Sequence, residues 1–583
     1  MNIEFADTLP RSGSGRYAHY EHRRLDAPGW KIVDIRAASA TRQDEWTLAL
    51  NRWHADLCRL ASQHTENWWL TPGSRLTAWY PADLKPLFFA LAAADAAAEN
   101  SDAPLFILGA PRDVREYIEE WSSGCCPKTL VRGPQPTAPV STFRTVLSLA
   151  ARIITRHFRP KPSLKDVETL AFSYTLRGDI FTVEDDHYFG AALDGAGQKE
   201  KTLWVYYLDF LSDLNPVSRY LAERGRRHAF YFDFLSLTDL AAIRRDAYAV
   251  VDALAPLEKE LPTLLIGNRT CRAFARKFFK DHALRRPPIL EMSALRAFKN
   301  ILTLVRPRSV IYPYEEKGFE RALLMACGQS AAQPRTVAFA HAIYNNGHFY
   351  LRSARMPAPP PASERIAATS PETGRWLSEL SGRGPDAYHA IGSPRFPKES
   401  ALRPPSPTYP NPLRVLFLTG YPFEIDLLAD MAERSPDLFD GCELLVRAYP
   451  YGWGRRQASG ASRLKLLVEN MRTGSESLDE QTDWCDVAIF ASTSAGFHSM
   501  LRGRPTIHVD LHDHFTLDPL AGRDSDHTVA KCLDESDLAD ALSKYKSMGK
   551  DEYMEAARAH ARFAQIFYAP LDLRRVAREL QEA

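Results

Sequence analysis

The sequence predicts an α/β protein with two Rossmann-like domains, each holding a doubly wound, mostly parallel sheet. Short apolar runs rich in β-branched and aromatic residues recur along the chain, with segments of helical periodicity between them. This alternation is typical of parallel strands covered by helices on both faces. The chain has 583 residues, too many for one core, and a Pro-rich segment interrupts the alternation at 392–412. Two domains joined by a linker follow from these observations.

The first predicted domain covers residues 1–391. Helical periodicity dominates its first hundred residues, so we expect helical elements at the N-terminus. Segments such as 318–331, with apolar residues at helical spacing, separate the later strands. The predicted strands of this domain are 104–110, 202–210, 228–234, 263–267, 309–314, 336–342, 365–369 and 387–393.

The linker and the second predicted domain follow. Residues 392–412 hold seven prolines and no hydrophobic period, which indicates a linker. The second domain, 413–583, ends in a helical segment broken at Ala569–Pro570. Its predicted strands are 413–420, 443–450, 485–492, 504–510 and 528–533. Two such domains place a cleft at the carboxyl ends of parallel strands, where ligands bind.

Composition excludes several classes of protein. With 73 basic and 72 acidic residues the net charge is +1, so no overall field favours nucleic acid. No apolar run reaches the roughly 18 residues of a spanning helix, and the first residues lack the apolar core of a signal peptide. Eight cysteines are scattered without a CxxC pair, which predicts reduced thiols and a cytoplasmic protein.

Three consecutive hydroxyl residues, Ser492, Thr493 and Ser494, fall between a predicted strand at 487–491 and a predicted helix at 497–502. A helix start offers unpaired N–H groups and partial positive charge, and small hydroxyl residues leave room for a phosphate. The alternative is that one hydroxyl caps the helix.

Acidic and imidazole groups end two strands of the first domain. Glu315 and Glu316 follow one strand and His341 ends the next, so all three should face the cleft. A carboxylate there could act as base or nucleophile, and an imidazole could bind phosphate or serve as the base. Asp186, in an acidic run, could line the acceptor side or lie in an exposed turn. Glu320 and Arg321 are expected on a solvated helix face.

The second domain resembles the donor domain of GT-B glycosyltransferases. The similarity runs through Arg447, Tyr449 and Pro450, then the three hydroxyls, then "GRPTI". It is closest to bacterial sialyl- and Kdo-transferases that use CMP-activated sugars. In those enzymes a basic-x-His-Pro turn lies at the nucleotide and a Ser/Thr pair holds the donor phosphate. Tyr449 stands where the His would be, which leaves Arg447 and Pro450 as matching positions.

Two further segments resemble the same enzymes. Gly392, Ser393 and Arg395 belong to a Gly-Ser-Pro-Arg turn like one at the junction into the GT-B donor domain, although an ordinary Pro turn also explains it. The stretches "VIYPYEEKGFERALLMA" and "TVAFAHAIYNNGHFY" resemble surface-carbohydrate proteins grouped with Kdo transferases. The resemblance implies a GT-B arrangement with an interdomain cleft.

The resemblance implies that the protein transfers a sugar, Kdo or a related nonulosonate, from a CMP donor onto a surface-polysaccharide or lipid-linked glycan. No cofactor beyond the donor and no metal is expected, because hydroxyls, helix-start amides and Arg447 can stabilise the departing phosphate. The polar run from His508 to His514 is interpreted as a loop and not a metal site. The alternatives are a polyol-phosphate transferase of the teichoic-acid type, a nucleotide-sugar epimerase, or a non-catalytic assembly protein.

The segment 141–163 carries five basic residues and no acid. Its apolar residues fall largely on one helical face, so it could lie on an anionic bilayer at the inner membrane face. A helix packed on the domain with a basic outer face explains the pattern equally well.

Overall fold

The architecture comes from a computed structural model of the full chain. It describes residues 3–6, 15–19, 30–33, 35–75, 81–99, 105–123, 138–155, 162–175, 188–189, 192–208, 227–344, 359–396, 412–421, 424–447, 455–474, 476–510, 518–523 and 527–581. Asp186, Tyr449 and Pro450 lie outside the described residues.

The strands are numbered in chain order. They are β1 Ile3–Ala6, β2 Gly15–His19, β3 Trp30–Ile32, β4 Leu105–Leu108, β5 Thr169–Thr175, β6 Thr202–Leu208, β7 His228–Phe230, β8 Leu265–Ile266, β9 Arg269–Thr270, β10 Ser309–Pro313, β11 Arg335–Ala340, β12 Arg365–Ala368, β13 Tyr388–Ala390, β14 Leu413–Leu418, β15 Cys442–Arg447, β16 Met471–Thr473, β17 Val487–Phe490, β18 Thr506–Val509 and β19 Ala530–Cys532.

The α-helices pack around these strands. They are α1 Ile35–His64, α2 Pro81–Ala98, α3 Arg112–Ser123, α4 Ala138–Thr155, α5 Ala192–Gly195, α6 Leu237–Leu254, α7 Arg272–Phe279, α8 Ile289–Val305, α9 Gly318–Gly328, α10 Pro371–Ser381, α11 Glu424–Arg434, α12 Arg455–Leu467, α13 Leu478–Trp484, α14 Ala495–Leu501, α15 Glu535–Ser547, α16 Lys550–Phe567 and α17 Leu573–Gln581.

Two parallel sheets form the body of the protein. The first has the order β13-β12-β11-β10-β5-β6-β7 and the second β16-β15-β14-β17-β18-β19. In each sheet the strand order reverses once, between β5 and β10 in the first and between β14 and β17 in the second. The predicted fold class, two doubly wound α/β domains with N-terminal helices, is confirmed.

The structure departs from the predicted strands in several places. The N-terminal part is not simply helical, because β1 to β4 form a parallel sheet of their own. Residues 265–266 pair in an antiparallel hairpin outside the main sheets. The prediction of strand through 234 was wrong, because Tyr231–Phe234 is a 3₁₀ turn whose Asp233 carboxylate accepts the Phe230 N–H at 2.8 Å.

Two passages of the chain cross between the domains side by side, with an isolated parallel bridge between Ser393 and Pro570. Residues 391–396 run out of the first domain, and residues 567–572 run back to it. The Ser393 N–H donates to Ala569 O and the Asp572 N–H donates to Ile391 O, both at 2.9 Å. Beyond this crossing α17 packs on the first domain, although it falls in the segment assigned to the second domain.

A buried glutamate anchors α17 to the first domain. Glu579 lies 3.7 Å from Arg335 and 3.2 Å from Arg365, and its other oxygen is 3.1 Å from His389 Nδ1. Val576 of the same helix belongs to the first domain's apolar core. The C-terminal helix therefore fastens the second domain to the first at a point outside the linker.

The basic helix α4 packs on the first domain. Ile153 is buried in the core, and the Arg152 guanidinium lies inward, 5.4 Å from the centroid of the Phe232 ring. Leu147 and Ile154 stay about half exposed. These contacts favour the packed-helix interpretation for the described part of 141–163. No helix among the described residues is long and apolar enough to span a bilayer.

Candidate active site

The first half of the site is the carboxyl end of β10, beside the point where the first sheet's strand order reverses. Glu315 follows this strand after one residue, and His341 directly follows the neighbouring β11. The two side chains meet, with His341 Nε2 3.5 Å from Glu315 Oε1. The other oxygen of Glu315 pairs with Lys317. The predicted convergence of Glu315 and His341 at one sheet edge is what the structure shows.

Several contacts fix the turn that carries Glu315. The Tyr344 hydroxyl donates to Tyr314 O at 2.7 Å. The Glu315 N–H donates to Glu320 Oε2 at 3.0 Å. The aromatic ring of Tyr188 packs edge-on against His341, with the ring centroids 4.6 Å apart. These contacts hold in place both the turn that carries the Glu315 carboxylate and the neighbouring His341 imidazole.

Glu316 points away from the cleft. It is buried, and its carboxylate lies 3.5 Å from the guanidinium of Arg321. Its φ of +52° is in the left-handed region, which non-glycine residues rarely adopt. Burial raises the pKa of Glu316, and the charge of Arg321 opposes that rise. Glu316 therefore shapes the turn from inside the domain.

The expectation that Glu320 and Arg321 lie on a solvated face was wrong. Both are 1% exposed, because α9 is buried on all sides. Arg321 donates to the backbone oxygen of Ser74 at 3.0 Å and to its hydroxyl at 2.6 Å. The Trp-rich segment near residue 70 thus contacts the underside of the Glu315 turn.

The second half of the site lies where the strand order of the second sheet reverses, at the ends of β14 and β17. The Ser492 hydroxyl donates to Glu424, whose other oxygen accepts the Gly420 N–H at 2.6 Å. A Cβ on Gly420 would overlap Ser492 Oγ and lie 3.2 Å from Thr493 N. The close packing of these two strand ends therefore requires a glycine at 420. The Ser492 hydroxyl is already hydrogen-bonded to the buried Glu424 carboxylate.

Thr493 and Ser494 differ from Ser492 in their contacts. Thr493 Oγ1 accepts the Ala495 N–H at 3.2 Å, which leaves its own hydrogen to donate. Ser494 precedes α14 but makes no side-chain cap bond, and its side chain lies near the Tyr568 hydroxyl. Capping by Ser494 therefore does not account for the turn, and Thr493 supplies one local bond.

Tyr568 links the two halves. It belongs to the same buried cluster as Ile343, two residues after His341, and its hydroxyl lies near the Ser494 side chain. Burial raises the pKa of Tyr568, while the nearby Arg395 guanidinium opposes the rise. Ile343 also joins an apolar cluster with Leu418 and Phe490 of the second domain. The carboxyl edges of the two sheets are therefore held against each other.

The remaining predicted donor residues have structural partners. Arg447, at the end of β15, donates to Glu476 O and Gln481 Oε1, both at 2.8 Å. Gly392 and Ser393 lie in the interdomain crossing, where the Ser393 hydroxyl accepts the Arg395 N–H at 3.1 Å. Only Arg395 reaches toward Tyr568 in this group, and its role in donor binding stays a prediction.

The polar run that begins within β18 includes a buried histidine that contacts an aspartate. His508 Nε2 lies 3.4 Å from Asp518, which also pairs with Lys531. Among the described residues, no group of three or more His, Cys, Asp or Glu side chains could hold a metal ion. His512 to His514 fall outside the described part of the chain.

Sequence reasoning missed Glu424 and Tyr568 as site residues, and also Tyr174, whose hydroxyl donates to the Glu320 carboxylate at 2.7 Å. Glu424 could have been noticed as an acid four residues after the predicted strand 413–420, which ends in Thr-Gly. Tyr568 sits directly before the Ala569–Pro570 break, a signal that the helix ends at a junction. Tyr174 belongs to β5, which was not predicted.

The fold and this edge define a two-domain protein of parallel α/β sheets meeting at their carboxyl ends. No protein-family profile matches the sequence, and no curated protein matches it. Solved structures with a similar fold include UDP-GlcNAc 2-epimerase from Neisseria meningitidis bound to UDP-GlcNAc (8% identity, TM-score 0.40, covering 71% of this chain and 100% of that one).

Glycosyltransferases are also among the similar structures. A lipopolysaccharide outer core galactosyltransferase is 11% identical with a TM-score of 0.39, covering 70% of this chain and 98% of that one. A glycosyltransferase from Rickettsia africae is 11% identical with a TM-score of 0.38, covering 72% and 99%. At these scores the similarity assigns no residue role, substrate or reaction to this protein.

Proposed function

We propose that the protein is a GT-B glycosyltransferase that moves a sugar from a nucleotide donor to a glycan acceptor. One observation carries the proposal. In each sheet the strand order reverses once, and residues of both reversal points, Glu315 in one domain and the Ser492–Ser494 turn in the other, lie at the same interdomain edge. Ligands of doubly wound sheets bind at such points.

The proposed donor phosphate lies against the turn of the second domain. Thr493 has a hydroxyl hydrogen to donate, and the Ser494 hydroxyl, which makes no cap bond, would donate to a phosphate oxygen. Ser492 would take no direct part, because a phosphate beside the Glu424 carboxylate would be repelled. Hydroxyl and amide donors already in place stabilise a departing phosphate without reorganisation.

The proposed catalytic group is Glu315. Its carboxylate takes the proton of the acceptor hydroxyl as that oxygen attacks the anomeric carbon, or attacks that carbon itself. His341, 3.5 Å away, orients the carboxylate and can share the proton. The configuration at the anomeric carbon is retained or inverted according to whether Glu315 acts as the nucleophile or as the base.

The donor and acceptor classes of the proposal rest on the sequence resemblance. A CMP-activated sugar, Kdo or a related nonulosonate, follows from the similarity around Arg447 and the hydroxyl turn. A surface-polysaccharide or lipid-linked glycan acceptor follows from the similarity of the first domain to proteins of surface-carbohydrate synthesis.

The test is release of nucleotide from sugar donors in the presence of a glycan acceptor. We expect CMP release from CMP-Kdo by wild type, and at least about a hundredfold lower turnover for Glu315→Gln. Binding of CMP, measured by calorimetry, should be nearly unchanged because the charge removed belongs to the other domain. Glu379→Gln, at an exposed glutamate of α10, is the matched control and should turn over normally.

Other results would assign another function. Turnover of CDP-glycerol would identify a polyol-phosphate transferase, and interconversion of UDP-sugars without transfer would identify an epimerase. Normal turnover by Glu315→Gln would exclude that residue from catalysis.

A further inference from the structure

A buried acid and a buried tyrosine lie directly beneath the Glu315 turn. The Tyr174 hydroxyl, near the end of β5, donates to Glu320 Oε1 at 2.7 Å. Glu320 Oε2 accepts the backbone N–H of Glu315 at 3.0 Å. The chain Tyr174–Glu320–Glu315 therefore spans the point at which the first sheet reverses its strand order, linking β5 to the end of β10.

Glu320 is placed to support the Glu315 turn and not to transfer a proton in the cleft. The residue is 1% exposed, and each of its carboxyl oxygens already accepts a hydrogen bond. Burial, and then the charge of Glu315, raises the pKa of Glu320 well above its usual range. The two accepted hydrogen bonds brace the turn from inside the domain.

The acid beneath the turn can be compared with another in the same domain. Glu120 of α3 is also buried, and its two oxygens accept the N–H groups of Arg272 and Ala273 at 3.2 and 3.0 Å. It braces the start of α7 in the way that Glu320 braces the Glu315 turn. Glu120 thus offers a control with the same chemistry and no contact with the site.

We propose that Tyr174 and Glu320 are positioning residues that hold the Glu315 carboxylate in its reactive place beside His341. The inference rests on the proposed function, because it takes the Glu315 carboxylate as the reacting group. Misplacing such a group by about 1 Å can lower turnover about a hundredfold. The pair therefore acts on the reaction step and not on donor binding.

The test compares Glu320→Ala, Glu320→Gln and Tyr174→Phe with Glu120→Ala. Glu320→Ala should lower kcat about ten- to a hundredfold, with the donor KM within about twofold of wild type. Glu320→Gln should restore most of kcat, because its amide oxygen still accepts the Glu315 N–H. Tyr174→Phe should lower kcat less than Glu320→Ala does. Glu120→Ala should leave kcat near wild type.

Amide hydrogen exchange at Glu315 provides a readout that needs no turnover. Exchange should accelerate at least about tenfold in Glu320→Ala but not in Glu320→Gln or Glu120→Ala. Unchanged exchange in Glu320→Ala overturns the positioning role, even if the protein has no transferase activity at all. If wild type is active and Glu320→Ala keeps its kcat, the positioning role fails while the proposed function stands.

Discussion

The interdomain crossing makes a quantitative prediction at Gly392. Its φ of +84° lies in the left-handed region that favours glycine. A Cβ there would lie 2.6 Å from the Pro570 carbonyl carbon and closer still to its oxygen. Both obstacles are backbone atoms of the returning chain, so no side-chain rotation relieves them. Gly392→Ala must therefore push the two passages apart.

The cost has two sources. The left-handed conformation costs a residue with a Cβ about 1–2 kcal/mol. Separating the passages removes the bonds from Ser393 N–H to Ala569 O and from Asp572 N–H to Ile391 O, each about 1 kcal/mol. We expect Gly392→Ala to lower the free energy of unfolding of the interdomain junction by about 3–4 kcal/mol.

Urea unfolding with two control glycines separates these sources. Gly441 has a φ of +67° but open space around it, so Gly441→Ala should cost only about 1–2 kcal/mol. Gly384, with a φ of −57° and open space, should change stability by about 0.5 kcal/mol or less. A Gly392→Ala protein no less stable than Gly441→Ala would refute the inferred close crossing.

Further predictions concern other buried groups. Burial lowers the pKa of His560, whose Nδ1 accepts the Thr506 N–H, to about 4. Since its unfolded value is higher, stability should fall as pH drops from about 6.5 to about 4, by up to about 3 kcal/mol. His560→Gln should flatten that part of the pH profile of unfolding, and an unchanged profile would contradict this. Arg152→Glu should destabilise the protein by about 3 kcal/mol, since it buries an unpaired charge. Arg144→Glu, at an exposed residue of the same helix, should cost about 0.5 kcal/mol or less; it is also the variant whose cosedimentation with anionic vesicles tests membrane docking.

Local sequence patterns predicted the parts of the fold that depend on neighbouring residues. Glu315 and His341 follow two consecutive apolar strands, and parallel pairing of those strands brings their ends together. The same reasoning located the Ser492–Ser494 turn between a strand and a helix. The residues at the ends of parallel strands can thus be located from local sequence patterns alone.

The predictions that were wrong concern residues whose contact partners are distant in sequence. Glu320 and Arg321 look solvated in their own helix, but their partners Tyr174 and Ser74 lie 146 and 247 residues away. Likewise β2 and β3 are short and partly polar, so no alternating pattern marks them as strands. The pairing of β2 with β4, and of β3 with β2, is a tertiary property that periodicity does not contain.

The most direct test of the central claim measures nucleotide binding at the interdomain edge. We expect CMP to raise the melting temperature of wild type more than UDP or CDP-glycerol does. Thr493→Ala combined with Ser494→Ala should weaken CMP binding by about 1–3 kcal/mol, while stability falls by only about 1 kcal/mol. Unchanged CMP affinity in this folded double variant would leave the turn with only the local bond between Thr493 and the Ala495 N–H. No shift with any of the three nucleotides would contradict the account and favour a non-catalytic protein that retains the fold.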